Sequence, residues 1–483
     1  MFSNIDSSMI LTILPEILLL VLAGLVMLFD VLWDEEHRRN LGWLTVGGLV
    51  FILAIGLIVS RPGDEARLLW GGMLRQDWLG FVFKMAFLFG ASITALFAMD
   101  ISYLGRKGEF YALLLVSTIG MSLMASSADL IMLYLAIETT SIPLYVLAGF
   151  FKTDNKSTEA GFKYILFGAL TSAVMLYGFS LLYGFTGTTD LYQLANILAS
   201  GELPFTLVLG ALALILVGLG FKISSVPFHF WAPDVYEGAP TPVAGFLSTA
   251  SKVAGFTVLM RVFLAVFPSA VPYWAAILAV FSTASMTLGN TLALAQKNIK
   301  RLLAYSSIAH AGYALIGVAT ASTLGMTATV FYLVVYLITN LAAFGLVSAF
   351  SRVSGSDEIA AYAALSRRSP GMALILLVSL LSLAGMPPLG GFVAKLFVFA
   401  AAVKSGLIWL AFVGVLNSII GLYYYLIVLK VVYLYRSEDE DKPVKMTRPY
   451  ALGLTVLVVG IILMGTIFAP WFTWSGIASA ALF

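Results

Sequence analysis

Apolar stretches about 20 residues long recur from one end of the chain to the other. A helix of about 20 residues crosses a hydrocarbon core about 30 Å thick. Fourteen such stretches are predicted, at approximately 9–33, 41–60, 78–99, 109–126, 129–151, 159–185, 205–237, 241–267, 273–295, 302–320, 325–351, 371–404, 407–435 and 448–474. The seventh and twelfth carry an interruption. Backbone in hydrocarbon must satisfy its own hydrogen bonds, so each stretch is expected to be a helix. The expected fold class is an all-α polytopic membrane protein with about 14 transmembrane helices, helices 7 and 12 being discontinuous. Of the 483 residues, 60% are hydrophobic and 11% charged, against about 25% charged in soluble domains. That balance excludes a soluble enzyme, a disordered chain and a nucleic-acid binder. The intervening stretches reach only about 20 residues, so no soluble domain is expected. The first stretch lacks a basic start and is longer than a signal-type apolar region, which predicts a retained helix.

Orientation follows from the loops. If the segments alternate across the bilayer, sixteen Lys and Arg fall in one set of loops, among them Arg38, Arg39, Arg106, Lys107, Arg367 and Arg368. Four fall in the other: Arg61, Arg67, Arg75 and Lys404. The excess of positive charge on cytoplasmic loops places the first set in the cytoplasm and both termini outside. Inserting or removing an early helix would mix the two sets.

Seven cations lie within the segments. Lys84, Arg261 and Lys430 are close to segment ends and are expected to snorkel to the interface. Glu16 and Asp30, toward the ends of helix 1, are expected to be interfacial too. Lys222, Lys252, Lys395 and Glu138 are deep. Facing lipid, four such groups would cost roughly 10–14 kcal/mol on insertion scales. They must therefore face the bundle interior, water or one another. Desolvation favours the neutral form of an amine, so a buried lysine can accept and release protons. The alternative is a set of fixed ion pairs. Lys163 on helix 6 could pair with Glu138 on helix 5, although their depths differ by roughly 10 Å at 1.5 Å per residue. Pro143 could shorten that gap by breaking or tilting helix 5. His310, in AYSSIAHAGYALIG, is either a proton relay or a neutral ring bonded to a nearby Ser or carbonyl. His229, beside Trp231 and three prolines, is expected to be structural, and His37 solvated.

Pro227 should break segment 7, and Pro387 and Pro388, with Gly390 and Gly391, segment 12. Backbone freed at membrane depth must be buried in protein or line a watery cavity. Lys222 precedes the first break and Lys395 follows the second, an arrangement from which transporters build ion sites. The broken helix is fourth in helices 4–8 and fourth in helices 9–13, and the two units start on opposite sides of the membrane. They are expected to be inverted repeats. The predicted organisation is 1–108 for helices 1–3, 109–267 for the first repeat, 273–435 for the second and 448–483 for helix 14. TTDLYQLANILASGELP, before segment 7, is expected to form a short surface helix. No dinucleotide fingerprint, phosphate loop or hydrolytic triad is convincing. With no cysteine and only three histidines, the chain is not expected to hold an iron–sulfur cluster, a thiolate metal site or a haem of its own.

FKISSVPFHFWAPDVYEGAPTPVAGFLSTASKVAGF (221–256) resembles the signature of the antiporter-like membrane subunits of respiratory complex I, the NADH:quinone oxidoreductase family. VYEGAPTPV resembles the N type, also called type 2. KNIKRLLAYSSIAHAGYALIG (297–317), AGMPPLGGFVAKLFVF (384–399) and the pair Pro15–Glu16 resemble it as well. The related L type would add a long lateral helix after helix 14, and the M type typically has glutamate where Lys395 stands. The resemblance runs the whole length and implies proton translocation coupled to quinone reduction elsewhere in a complex. It implies that Glu138 and Lys163 are a helix 5/6 pair and Lys222 the central lysine. Lys252 would be the connector, His310 would lie on the route outward and Lys395 would be the terminal site. Flavin, iron–sulfur clusters and quinone would belong to partner subunits, with no cofactor in this chain and bound lipids an open possibility. The implied neighbours are subunit M on one side and subunits K and J on the other, in a bacterial plasma membrane. Two rival readings remain: a subunit of a multi-subunit (Mrp-type) cation/proton antiporter, against which VYEGAPTPV speaks, and a non-pumping membrane scaffold. A lone permease is weakened by the lack of a recognisable substrate pocket.

Overall fold

The computed structural model describes residues 7–483 apart from 64, 102 and 202; the first six residues of the N-terminal unit lie outside the described part. The fourteen segments form helices in the expected order. They are α1 (Leu14–Leu32), α2 (Asn40–Val59), α3 (Trp78–Ala98), α4 (Gly108–Ser126), α5 (Leu130–Ala148) and α6 (Asn155–Thr186). The broken seventh follows as α7a (Phe205–Lys222) and α7b (Trp231–Gly238). Then come α8 (Thr241–Val266), α9 (Pro268–Ala293), α10 (Ile299–Ala319) and α11 (Thr323–Ser354). The chain continues with α12a (Pro370–Ala384), α12b (Gly390–Lys404), α13 (Ile408–Leu434) and α14 (Arg448–Thr466). Among the described residues thirteen helices are long and apolar enough to cross a membrane, and the paired halves of α12 supply a fourteenth crossing. The chain is thus a multi-span membrane protein.

Helices α8, α10 and α11 are wrapped almost wholly by protein, whereas α1, α2, α6 and α9 bury a third or less of their apolar window. The core therefore runs along α8, α10 and α11, with lipid-facing helices around it. Side-chain caps set several helix starts: Asp77, Asp129, Asp154, Asn298 and Ser322 each accept from a first-turn backbone N–H, satisfying donors that the helix leaves orphaned.

Both expected breaks are present, each with a cis X–Pro peptide, Val226–Pro227 and Pro387–Pro388. Pro143 does not break α5, which runs unbroken through it. The last segment, expected to 474, stops as a helix at Thr466. A separate helix, Ala469–Ala480, starts with Pro470 in its first turn, where the missing N–H costs nothing but cannot continue a preceding helix. The surface helix before segment 7 is Leu191–Ala199, packed by Leu191, Leu194 and Leu198. A small hairpin, Arg67–Leu69 with Leu74–Gln76, was not foreseen. Its turn holds Trp70, Gly71 and Gly72 at positive φ, so the Gly-Gly pair was a signal for it.

Two expectations about segment ends are overturned. Lys84 and Glu16 do not reach an interface; they are 4% and 6% exposed and form an ion pair at 2.7 Å, which Ser122 joins by donating to Glu16 at 2.7 Å. Arg261 is also buried. It binds both oxygens of Asp77, at 2.7 and 3.0 Å, and donates to the Ala125 carbonyl at 2.8 Å. The cause is lateral packing: α1, α3, α4 and α8 enclose these ends, so a nearby counterion is cheaper than a stretched side chain. Lys430 is exposed beside the Tyr435 ring.

Asp77 caps α3, binds Arg261 and lies 3.2 Å from Arg75. Removing one partner of a buried pair costs about 3–5 kcal/mol. Arg261→Leu is therefore expected to lower the melting temperature of the detergent-solubilised protein sharply. Arg261→Leu with Asp77→Asn should recover part of the loss, since Asn also caps a helix.

Candidate functional site

The deep ionisable groups sit on α5, α7a, α8, α10 and α12b, and what holds them divides them into two kinds. Lys222, Lys252 and Lys395 are each 6% exposed or less. Among the described residues none has a carboxylate within 4 Å. Neutral oxygens hold them instead.

Lys222 is the last residue of α7a and donates to Ser141 Oγ of α5 at 2.8 Å. The carboxyl end of a helix favours a cation. On its other side a small cavity, with about 20 Å³ open to the centre of a water molecule, is lined by Lys222, Ser141, Ser172 and Glu138. That is room for one water. Ser172 donates to Glu138. Glu138 thus faces Lys222 across a polar gap.

Lys252 follows a π-turn in α8, Leu247–Ser251, a distortion common at functional sites. Its Nζ donates to Ser307 Oγ at 2.6 Å and Ser307 O at 3.0 Å. Tyr336 donates to the same Ser307 hydroxyl at 2.8 Å, and Asn340 bridges Tyr336 and Ser248. No hydrogen bond links Lys222 to Lys252 among the described residues. They are nonetheless close: Gly255, one turn beyond Lys252, lies against the Lys222 stem. A Cβ there would stand 3.0 Å from Lys222 Cγ, so a larger residue would push on that stem.

Among the described residues His310 is bonded neither to a neighbouring serine nor to a carbonyl. Its Nδ1 lies 2.6 Å from the Tyr332 hydroxyl and its Nε2 3.4 Å from that of Tyr425. Tyr425 in turn meets Ser306. The imidazole stacks on Tyr336 at 5.2 Å, the tyrosine that shares Ser307 with Lys252. A second small cavity separates His310 from Lys395 and is lined by Tyr332, Tyr336, Thr339 and Ser382. Lys395, on α12b, donates to Ala384 O, the last carbonyl of α12a, at 3.1 Å, and sits over the Tyr313 ring at 4.4 Å. Gly385, at φ +88°, ends α12a where a Cβ would press on Lys395 Cδ at 3.0 Å.

Lys163 stands apart from this line. It is one-third exposed and pairs with Glu159 at 2.7 Å and with Asp234 of α7b at 2.6 Å, not with Glu138. Arg301 binds Asp234 and Glu237 at 2.8 and 2.9 Å, and Lys156 closes the network on Glu237 at 2.9 Å. The depth difference between Glu138 and Lys163 accounts for the separation. Asp234 and Glu237 were not singled out in the sequence, although VYEGAPTPV and the residues before it carry both. The other residues missed are the tyrosines Tyr313, Tyr332, Tyr336 and Tyr425. Helical spacing from 332 to 336 was a signal for one of these pairs, but tyrosine on an apolar helix also reads as packing. His229 is buried in the break, beside Phe230. Among the described residues no three His, Cys, Asp or Glu converge on a metal-ligating group.

Residues 127–421 match the family described as NADH:quinone oxidoreductase/Mrp antiporter, transmembrane. NADH-quinone oxidoreductase subunit N of Moorella thermoacetica is 42% identical, over 93% of this chain and 94% of the relative. A chain of the respiratory complex I of Thermus thermophilus, solved with bound aureothin, is similar at TM-score 0.79 and 34% identity, covering 96% of this chain and 99% of that one. A chain of the Mrp complex of Dietzia shares the fold, at TM-score 0.88 and 24% identity, covering 99% and 98%.

Ser307 accepts from both Lys252 and Tyr336. Hydrogen bonds to charged groups contribute about 1.5–3 kcal/mol each. Ser307→Ala, which leaves Lys252 only the backbone carbonyl, is expected to lower stability by about that amount in thermal unfolding of the solubilised protein.

Proposed function

The chain belongs to the NADH:quinone oxidoreductase/Mrp antiporter family, as a subunit N of NADH-quinone oxidoreductase, and from that premise we propose that it carries protons along its buried line of amines. The observation that carries the reading is the absence of counterions around Lys222, Lys252 and Lys395 among the described residues. A salt-bridged ammonium is fixed in its charged form, because losing the proton strands a buried carboxylate. An amine on serine hydroxyls and carbonyls has no such penalty and can take up and release a proton. The three lysines therefore favour transport over permanent ion pairs, while Glu16–Lys84 and Asp77–Arg261 are the pairs that the scaffold reading describes.

In the proposed route, protons reach Lys222 from the cytoplasm, pass to Lys252, and continue through Ser307 and Tyr336 to His310. Tyr332 and the small cavity beyond lead to Lys395, from which they leave on the outer side. Hydroxyls donate and accept at once, so each can hand on a proton without holding charge. Glu138 is the gate: an ionised carboxylate across one water attracts the Lys222 ammonium, and its neutralisation frees the proton to move. At effective dielectric constants near 20, a charge a few ångströms away is worth a few kcal/mol. Lys163, bound to Asp234, ties α6 to α7b and sets the charge at the cytoplasmic approach. Helices 4–8 and 9–13 are proposed as inverted repeats, with α7a–α7b and α12a–α12b as equivalent broken helices.

Electron transfer is assigned to partner subunits. With no cysteine, this chain offers no thiolate to an iron–sulfur cluster. Subunit M on one side and subunits K and J on the other are the proposed neighbours. The proposed location is a bacterial plasma membrane with both termini outside.

Lys222→Ala, in the assembled complex, is expected to keep subunit composition but lose NADH-driven proton uptake by about tenfold or more, the factor carried by 1.4 kcal/mol on a barrier. Lys222→Arg should assemble and also lose uptake, since guanidinium keeps its proton. Unchanged proton uptake in both variants would sink the route. Glu138→Gln, which retains a partner for Ser172, is expected to slow coupled turnover while leaving assembly intact, as read by quinone reductase activity of the purified complex.

A further inference from the structure

On the side of the molecule that carries the 60–77 loop, an apolar cleft of about 410 Å³ opens between α2, α3, α11 and α14. This volume lies within the range of small-molecule pockets. Apart from Ser475 its lining is apolar, with Phe81, Ala86, Phe331 and Val459 on its walls and Trp471 and Trp474 at one end. These two tryptophans belong to the helix Ala469–Ala480, which lies on α11 beyond the end of α14; they are 38% and 49% exposed. Amphipathic rings at that level mark the headgroup zone of a bilayer. A cation lies near the cleft, one ring removed from its wall. The Arg61 guanidinium sits 5.1 Å over the Trp78 ring, and Trp78 meets Phe81 of the cleft wall edge-on at 5.5 Å. Arg61 is exposed. An apolar slot with tryptophans at one end and an exposed arginine nearby matches one chemistry: a hydrocarbon tail joined to an anionic headgroup. Planar, multidentate guanidinium is suited to phosphate.

We infer that this cleft is a binding site for one acyl chain of an anionic phospholipid, from the leaflet on the side of the 60–77 loop, with Arg61 taking its phosphate. The site has a consequence for the core because α11 has two opposite faces. Phe331, Val334 and Leu337 line the cleft. Tyr332, Val335 and Tyr336, each one residue away, line the cavity between His310 and Lys395. A chain seated in the cleft presses on the back of the helix that positions His310's tyrosine partners. The assignment does not depend on the direction or existence of proton flux.

The test uses the purified complex in nanodiscs with phosphatidylglycerol bearing a diazirine in its acyl chain, and the same probe with a phosphatidylcholine headgroup. Labelled peptides are mapped by mass spectrometry. Label is expected on 81–89 and 456–475 in several-fold excess over α13, which carries exposed apolar side chains such as Phe412 and Ile419. Ala86→Phe and Val456→Trp, which fill the slot from opposite walls, should each abolish that excess and leave α13 labelling unchanged. Arg61→Gln should erase the preference for phosphatidylglycerol over phosphatidylcholine. Labelling no denser than on α13, or labelling untouched by Ala86→Phe in an assembled complex, overturns the site. Capture of a long-chain azidoquinone in place of the lipid, or a cross-link to a neighbouring subunit across the cleft, overturns the identity of the occupant. If neither filling variant assembles, the wild-type comparison with α13 and the Arg61→Gln headgroup preference still decide.

Discussion

A charge removed from water must be compensated, and in a bundle of apolar helices nearly every polar contact can be traced to that requirement. The protein meets it in two ways. Toward the end of the bundle that carries the 60–77 loop, Glu16 with Lys84 and Asp77 with Arg261 are ion pairs, closed by Ser122, Ala125 O and Arg75. Along the core, Lys222, Lys252 and Lys395 rest on Ser141, Ser307 and Ala384 O. The first way gives cohesion, because neither partner can be neutralised alone without leaving a buried ion. The second leaves amines whose neutral form strands no paired carboxylate, which is what the proposed proton route requires.

The two broken helices serve the second way. A continuous helix consumes its own carbonyls, and a lysine beside it finds few acceptors. Ending α7a at Lys222 and α12a at Ala384 leaves carboxyl-end carbonyls inside the protein, where the partial negative charge suits an ammonium. Glycine completes each arrangement. Gly255 makes space for the Lys222 stem and Gly385 for that of Lys395, so the amine can be held at membrane depth without forcing helices apart. Between them, α10 and α11 supply hydroxyls and phenols: Ser307, Tyr332 and Tyr336 around His310.

Span number, helix order and both breaks were legible because each rests on a one-dimensional signal, either an apolar run of membrane length or a proline cluster within one. Depth within a span also marked Lys222, Lys252 and Lys395 as buried, whereas Glu138 is half-buried. What depth could not reveal was company. Lys84 and Arg261 lie near segment ends, where snorkelling is the default, and only the packing of α1, α3, α4 and α8 shows them paired. In the same way, Lys163 and Glu138 are plausible partners by charge, yet Asp234 wins because α7b brings it to the depth of Lys163. The tyrosines around His310 were invisible for a different reason, since an aromatic on an apolar helix looks the same whether it packs or donates. Pro470, by contrast, was a readable stop within the last segment.

The separation of ion-paired charge from the central amines bears on how the proposed proton route could operate without loosening the molecule. Around α7b, the network of Lys156, Glu237, Arg301, Asp234, Lys163 and Glu159 binds α6, α7b and α10 together. At the opposite end, Asp77 with Arg261 and Glu16 with Lys84 bind α1, α3 and α8. Each network satisfies its own charges, so its contribution to stability does not change when a lysine between them becomes neutral. Had the central amines been the glue, every proton released would have cost a helix contact. Because the glue lies at the two ends, the charge changes that the proposed route requires in the middle of the bundle would leave the framework around it whole.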